Sequence, residues 1–227
     1  PDSKAFAATM RKALEFTSDR HAIVCVGIKP ASAHTGYGYI HAPESDGVVK
    51  VSGFKEKPSP EVAQQYLAEG GYYWNAGIFV WNVSTIEKEL RKHSPQICSV
   101  MDELSPAFYS DDEDNELARL FPTCEKISID YAVMEKSDNI HTIPAEFGWS
   151  DLGTWGSLRT NIEKDEAGNA AVGENIHLYD CKGTVVHTSN LRHVVIDGLE
   201  DYIVAEKDGR LLICPLAQEQ RIKDFEK

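Results

Sequence analysis

Ala22-Ile23-Val24-Cys25-Val26-Gly27-Ile28 is an unbroken apolar run that stops at Lys29-Pro30. A short continuous apolar segment, ended by a proline that forces the chain out of regular structure, is the pattern of a strand buried on both faces, as in parallel sheets. Upstream, Phe6, Met10, Ala13 and Leu14 recur at helical spacing within Ser3–Ser18, with Asp2 or Ser3 available as N-cap. A helix leading into such a strand is the latter part of a β-α-β unit, which also needs a strand before the helix. The expectation is therefore an α/β layer over residues 1–164 that is incomplete. In it, Ala22–Ile28 and Tyr72–Trp81 would lack some of their partners and expose backbone groups and apolar surface.

Working outward, Gly36–Ile40 and Val48–Glu56 read as strands, and Ser59 caps a helix that starts at Pro60 and ends at Gly70-Gly71. Tyr72–Trp81 is a strand interrupted by Asn75-Ala76-Gly77. Ser84 with Glu87 has the spacing of a capping box, opening a largely helical interval that runs to Phe121. Ser128–Lys136 is a short helix, Ile140–Ile143 a strand and Thr154–Glu163 a helix. Past the turn-rich Asp165–Asn169, residues 168–227 change character: Ile176, Val185, Val194, Ile203 and Leu212 recur every nine residues between turn signals. That predicts a small all-β domain, a short β-helix or sandwich, closed by a helix over Ala217–Lys227 and better formed than the first domain.

With 227 residues, 42% of them hydrophobic, the chain can bury a substantial core. No apolar run approaches the ~20 residues that cross a bilayer, and Pro1–Phe6 has no signal-peptide pattern, so no membrane association and a cytoplasmic location are expected. The excess of 36 acidic over 23 basic residues, a formal charge of -13, argues against a nucleic-acid partner. Asp111–Asp114 reads as a solvated loop or first helical turn rather than a metal site. Cys25, Cys98, Cys124, Cys181 and Cys214 are odd in number and widely spaced, which predicts reduced, mostly buried thiols.

Three segments carry candidate chemistry. Phe54-Lys55-Glu56-Lys57-Pro58 sets a carboxylate beside an ammonium at a strand end, where α/β sheets bind ligands. Glu56 could accept hydrogen bonds from sugar hydroxyls while Lys57 neutralises a phosphate; alone, the pair is equally a surface ion pair. Asn75 and Gly77 insert an amide and a close-approach glycine into an apolar strand, for a ligand or merely for a bulge. Asp151, in Gly148-Trp149-Ser150-Asp151-Leu152-Gly153, is either a helix-start partner or one of the one or two carboxylates that typically hold Mg²⁺.

Together with Thr35-Gly36-Tyr37-Gly38-Tyr39-Ile40 and Ser128-Ile129-Asp130-Tyr131-Ala132-Val133-Met134-Glu135-Lys136, these segments resemble the bacterial mannose-1-phosphate guanylyltransferases in order and spacing over essentially the whole chain. Glu56-Lys57-Pro58 is common to many sugar-nucleotide pyrophosphorylases; the segments around Asp130 and Asp151 point to the mannose branch. Lys55 stands where that family usually has valine, at a position expected to face away from Glu56 and Lys57. The family's Gly-rich GxGxRLxP loop and its Pro-x-Asp-His metal segment do not occur in this sequence.

The resemblance implies an incomplete Rossmann-like nucleotidyltransferase domain followed by a left-handed β-helix-like domain. It also implies transfer of a guanylyl group from GTP to mannose 1-phosphate, with Mg²⁺ as cofactor and GDP-mannose as product. It assigns Tyr37 and Gly38 to the sugar pocket, Glu56 and Asn75 to hydroxyls, Lys57 to the phosphate and Asp151 to the metal; Asp130 is as well explained as a helix-start residue. The chain alone is expected to be inactive, for want of the nucleotide loop. A pyrophosphorylase for another sugar 1-phosphate and a non-catalytic sugar-phosphate-binding or assembly module are the alternatives, and homo-oligomerisation is left open.

Overall fold

The computed structural model describes residues 2–190 and 193–225, and the chain divides into two compact units, Pro1–Trp149 and Ser150–Lys227. In the first, α1 (Ser3–Thr17) is capped by Asp2, whose carboxylate accepts from the amides of Lys4 and Ala5, two of the donors a helix start leaves unpaired. There follow β1 (Ile23–Ile28), β2 (Tyr39–His41), β3 (Val49–Lys50), β4 (Gly53–Lys55), α2 (Pro60–Glu69) and β5 (Tyr72–Val80). A helical excursion of α3 (Val83–His93), α4 (Pro95–Leu104) and α5 (Glu113–Leu120) then leads to a single π-helical turn, Asp130–Met134, and back into the sheet as β6 (Ile140–Ala145).

The six strands form one mixed sheet in the order β3-β6-β1-β5-β2-β4. β1 runs parallel to β6 and antiparallel to β5. Because side chains alternate along a strand, β1 feeds two cores. Val24 and Val26 pack with Ala13, Ile143 and Phe147 on the α1 side. Ile23 and Cys25 pack with Ile40, Val133 and Met134 on the side of the π-helical turn.

This topology corrects the expectation of unpartnered strands. β1 lies between β6 and β5, and β5 between β1 and β2, all from this chain. The nine-residue β5 is long enough to serve two neighbours, pairing β2 through Tyr72–Trp74 and β1 from Trp74 to Val80. The sheet is also not purely parallel. Two smaller expectations change as well: α3 is capped by Asn82, whose side chain accepts from the Thr85 amide, not by Ser84, and Val48–Glu56 is split into two short strands on opposite edges of the sheet. Gly70-Gly71, both at positive φ, end α2 as expected.

The second unit begins before the expected boundary, so that α6 (Trp155–Asn161), capped by Thr154, belongs to it rather than to the first. β7 (Ala170–Val172), β8 (Ile176–Tyr179), β9 (Val185–Thr188), β10 (Val194–Asp197), β11 (Tyr202–Lys207) and β12 (Arg210–Pro215) follow. The nine-residue period is realised as two parallel ladders: β8 pairs β10 with Ile176 opposite Val194, and β9 pairs β11 with Val185 opposite Ile203. From Ile176 to Ile203, successive nine-residue steps thus alternate between two sheets and return to the same sheet every second step, whereas the step to Leu212 stays in the sheet of β11. β7 adds to β9 in parallel, and β12 closes against β11 as a hairpin through Asp208 and Gly209, both at positive φ as a tight two-residue turn requires. The expected terminal helix is a 3₁₀ helix over Leu216–Asp224, and Glu226 and Lys227 lie outside the described residues.

All five cysteines are free thiols, with Cys25, Cys181 and Cys214 buried. Asp111–Asp114 is an exposed turn running into the first turn of α5, apart from the half-buried Glu113. Among the described residues no helix is long and apolar enough to cross a membrane.

Candidate functional site

Glu56 follows β4 directly and is only 7% exposed. Its backbone amide donates to Glu135 Oε1 at 2.9 Å, and its Oε1 receives Lys57 Nζ at 2.9 Å. Its other oxygen, Oε2, is buried with no hydrogen-bond partner, although a buried carboxylate oxygen left unpaired is costly. Lys57 sits at φ 45°, a left-handed conformation that a non-glycine residue holds only under local constraint. The hydrogen bond that Lys57 donates to Glu56, and the negative charge of that carboxylate, raise the Lys57 pKa, keeping the ammonium charged.

Gly38 completes the wall. A Cβ placed there would collide with Glu56 Oε2 and lie 3.2 Å from the Asn75 Cβ, so only glycine leaves the carboxylate its position. The Gly38 carbonyl accepts from the Asn75 amide at 2.8 Å, tying the loop to β5.

Asn75 lies where the β1–β5 register shifts: Cys25 pairs with Phe79 but Gly27 pairs with Asn75. This bulge, with Gly77 at φ 69°, re-aims the strand. Asn75 Oδ1 accepts from the Gly77 amide at 2.8 Å and from Cys25 Sγ at 3.0 Å, and Nδ2 donates to Asp130 Oδ1 at 3.0 Å. One amide hydrogen of Nδ2 remains available to a ligand. Burial first, then the charges of Asp130 and Glu56, raises the Cys25 pKa well above its usual value, so it acts as a neutral donor.

The structure therefore gathers Gly38, Glu56, Lys57 and Asn75. Tyr37 stacks on His34 at 4.0 Å and meets Trp74 and Trp149 edge-on at 5.1 and 5.3 Å. Lys55 reaches Glu135, the same side chain that accepts from the Glu56 amide. Asp151 belongs to the second unit, exposed in a turn where Leu152 takes φ 50°. Among the described residues no group of three or more His, Cys, Asp or Glu side chains is placed to hold an ion by itself. Asp151 fits Mg²⁺ only as a single carboxylate, the mode in which phosphate and water complete the shell.

Local sequence gives no sign of the roles of Cys25 and Glu135, and it leaves Asp130 equally well explained as a helix-start residue. Their partners are remote in sequence, and neither the apolar run around Cys25 nor the motif around Glu135 says which residue each faces.

The family profile described as "Nucleotidyl transferase" matches residues 1–168. This chain belongs to the nucleotidyl transferase family. Among its relatives in that family, "Xanthan biosynthesis protein XanB" of Xanthomonas campestris pv. campestris (strain B100) is 39% identical over 98% of this chain and 47% of its own length. "Mannose-1-phosphate guanylyltransferase" of Escherichia coli (strain K12) is 34% identical over 98% of this chain and 47% of its own length. The chain thus spans about half the length of the curated relatives it matches. The solved structure of a "mannose-1-phosphate geranyltransferase" from Thermus thermophilus superposes with a TM-score of 0.82 at 28% identity, covering 99% of this chain and 64% of the other.

Proposed function

We propose that this nucleotidyl transferase chain carries the sugar 1-phosphate side of a mannose-1-phosphate guanylyltransferase. The observation that carries the reading is the buried, unpartnered Glu56 Oε2, walled by Gly38 and Asn75 with the Lys57 ammonium beside it. A carboxylate oxygen with no donor of its own is completed by a ligand hydroxyl. A retained positive charge next to it suits a phosphate on the same ligand. The kinship with mannose-1-phosphate guanylyltransferases supports mannose 1-phosphate as that ligand.

In the reaction, a phosphate oxygen of mannose 1-phosphate attacks the α-phosphorus of GTP. The new P–O bond forms as the bond to the β-phosphate bridging oxygen breaks, and pyrophosphate leaves with the electron pair. The chain forms no covalent intermediate. Glu56 and Asn75 orient the sugar ring through its hydroxyls, and Lys57 binds the phosphate, fixing the nucleophile for in-line attack. Mg²⁺, when bound, neutralises charge on the phosphates, and Asp151 is the residue that would hold it.

Isothermal titration of the chain with mannose 1-phosphate, glucose 1-phosphate, mannose and inorganic phosphate tests this. Tightest binding to mannose 1-phosphate, with mannose and phosphate each far weaker, is the expected result. A preference for glucose 1-phosphate would move the protein to a pyrophosphorylase of another sugar, and no sugar-phosphate binding would overturn the reading.

A further inference from the structure

We infer that the π-helical turn Asp130–Met134 and its C-cap Glu135 position both sugar-orienting residues, Asp130 by holding the Asn75 side chain and Glu135 by holding the Glu56 backbone. The inference rests on the sugar-phosphate reading of the site. Neither Asp130 nor Glu135 is needed as a ligand contact; each acts through another residue.

Two hydrogen bonds carry the argument. Asn75 Nδ2 donates to Asp130 Oδ1 at 3.0 Å, and the Glu56 amide donates to Glu135 Oε1 at 2.9 Å. The turn makes this double service feasible. In an α-helix, five residues rotate about 500°, leaving side chains at that spacing about 140° apart. Here the Glu135 amide instead closes on the Asp130 carbonyl at 2.9 Å, an i→i+5 bond that widens the turn, as inserted π-turns frequently do at functional sites. The turn is anchored by Ala132, Val133 and Met134, all buried in the core that contains Cys25 and Ile40. Its two ends are thus fixed to the same sheet face that presents Asn75.

The Asn75 amide is clamped from both sides. Cys25 and the Gly77 amide take its oxygen, and Asp130 takes one hydrogen of its nitrogen. Rotation of the amide by half a turn would set Nδ2 against two donors and Oδ1 against a carboxylate, so the clamp selects a single orientation and leaves an N–H, not an oxygen, for the ligand. Glu135 likewise fixes where the chain leaves β4, and with it where Glu56 Oε2 stands. Lys55, on the outer side, shares Glu135 Oε1 at 3.3 Å.

The test combines a ligand-free and a ligand-bound readout on the 227-residue chain. In ¹⁵N-edited spectra without ligand, the Asn75 side-chain amide should show one hydrogen shifted downfield and slow to exchange. Asp130→Ala should abolish both features, and Asp130→Asn should restore them partly. In titrations, Asp130→Ala and Glu135→Ala should each weaken mannose 1-phosphate by about five- to tenfold while narrowing its margin over glucose 1-phosphate. Inorganic phosphate binding should be unchanged, and Glu135→Gln should recover most of the loss. An Asn75 amide unmoved by Asp130→Ala, or affinity losses equal for mannose 1-phosphate and inorganic phosphate, would overturn the positioning roles. If the wild-type chain binds no sugar phosphate, the functional reading fails instead, while the amide signature still decides whether Asp130 clamps Asn75.

Discussion

Gly38 and Glu56 divide one volume between them: the space a Cβ would need at Gly38 is the space Glu56 Oε2 occupies. Gly38 has no positive φ, so the position needs glycine for this contact rather than for backbone freedom. Gly38→Ala should therefore keep the fold but displace the carboxylate, weakening mannose 1-phosphate by about 1 kcal/mol, the worth of one hydrogen bond. Calorimetry alongside thermal melting checks both halves; a large loss of stability with unchanged affinity would locate the strain elsewhere.

Glu56 and Lys57 should separate sugar recognition from phosphate recognition. Glu56→Gln is expected to narrow the preference for mannose 1-phosphate over glucose 1-phosphate by about 1 kcal/mol. Lys57→Ala should weaken both sugar phosphates and inorganic phosphate alike. Sugar preference that responds to Lys57 and not to Glu56 would reverse the two assignments.

Asp151 is testable without turnover. Mn²⁺, added as a paramagnetic stand-in for Mg²⁺, should broaden the amide resonances of Ser150–Gly153 early in a titration, and Asp151→Asn should remove that effect. Identical broadening in both proteins would return Asp151 to a purely structural role in its turn.

Glu89 is the main buried charge of the first unit outside the candidate site. Its Oε1 receives His21 Nε2 at 2.9 Å and Asn139 Nδ2 at 2.7 Å, joining α3 to the loops before β1 and β6. Burial pushes its carboxyl up, but hydrogen bonds from Ser137, Asn139 and His21, with the charge of His21, outweigh that and hold it below the usual range. A depressed folded value means the unfolded chain binds the proton more readily. The stabilisation is therefore complete above the unfolded value of about 4.3 and is lost as pH falls through the folded value. Glu89→Gln should flatten this acid limb in urea titrations at successive pH values and cost about 1–3 kcal/mol near neutrality. An unchanged acid limb would show that other carboxylates govern it.

Sequence alone conveyed the α/β class, α1, the α2 caps and the nine-residue period of the β unit, and it marked Glu56, Lys57 and Asn75 as candidates, whereas Gly38 entered only through the family resemblance. These are legible because each depends on local chemistry: apolar periodicity, a proline or glycine at an element end, a carboxylate beside an ammonium. It misjudged the pairing of Ala22–Ile28 and Tyr72–Trp81, because an apolar run reports burial but not which strands supply it. Only the tertiary structure set β6 beside β1 in parallel and β5 across from it. The same holds at the site. That Asn75 faces Cys25 and Asp130, that Glu135 holds Glu56, and that Tyr37 turns toward Trp74 and Trp149 depend on a β-bulge and a π-turn, which bring together residues far apart in sequence.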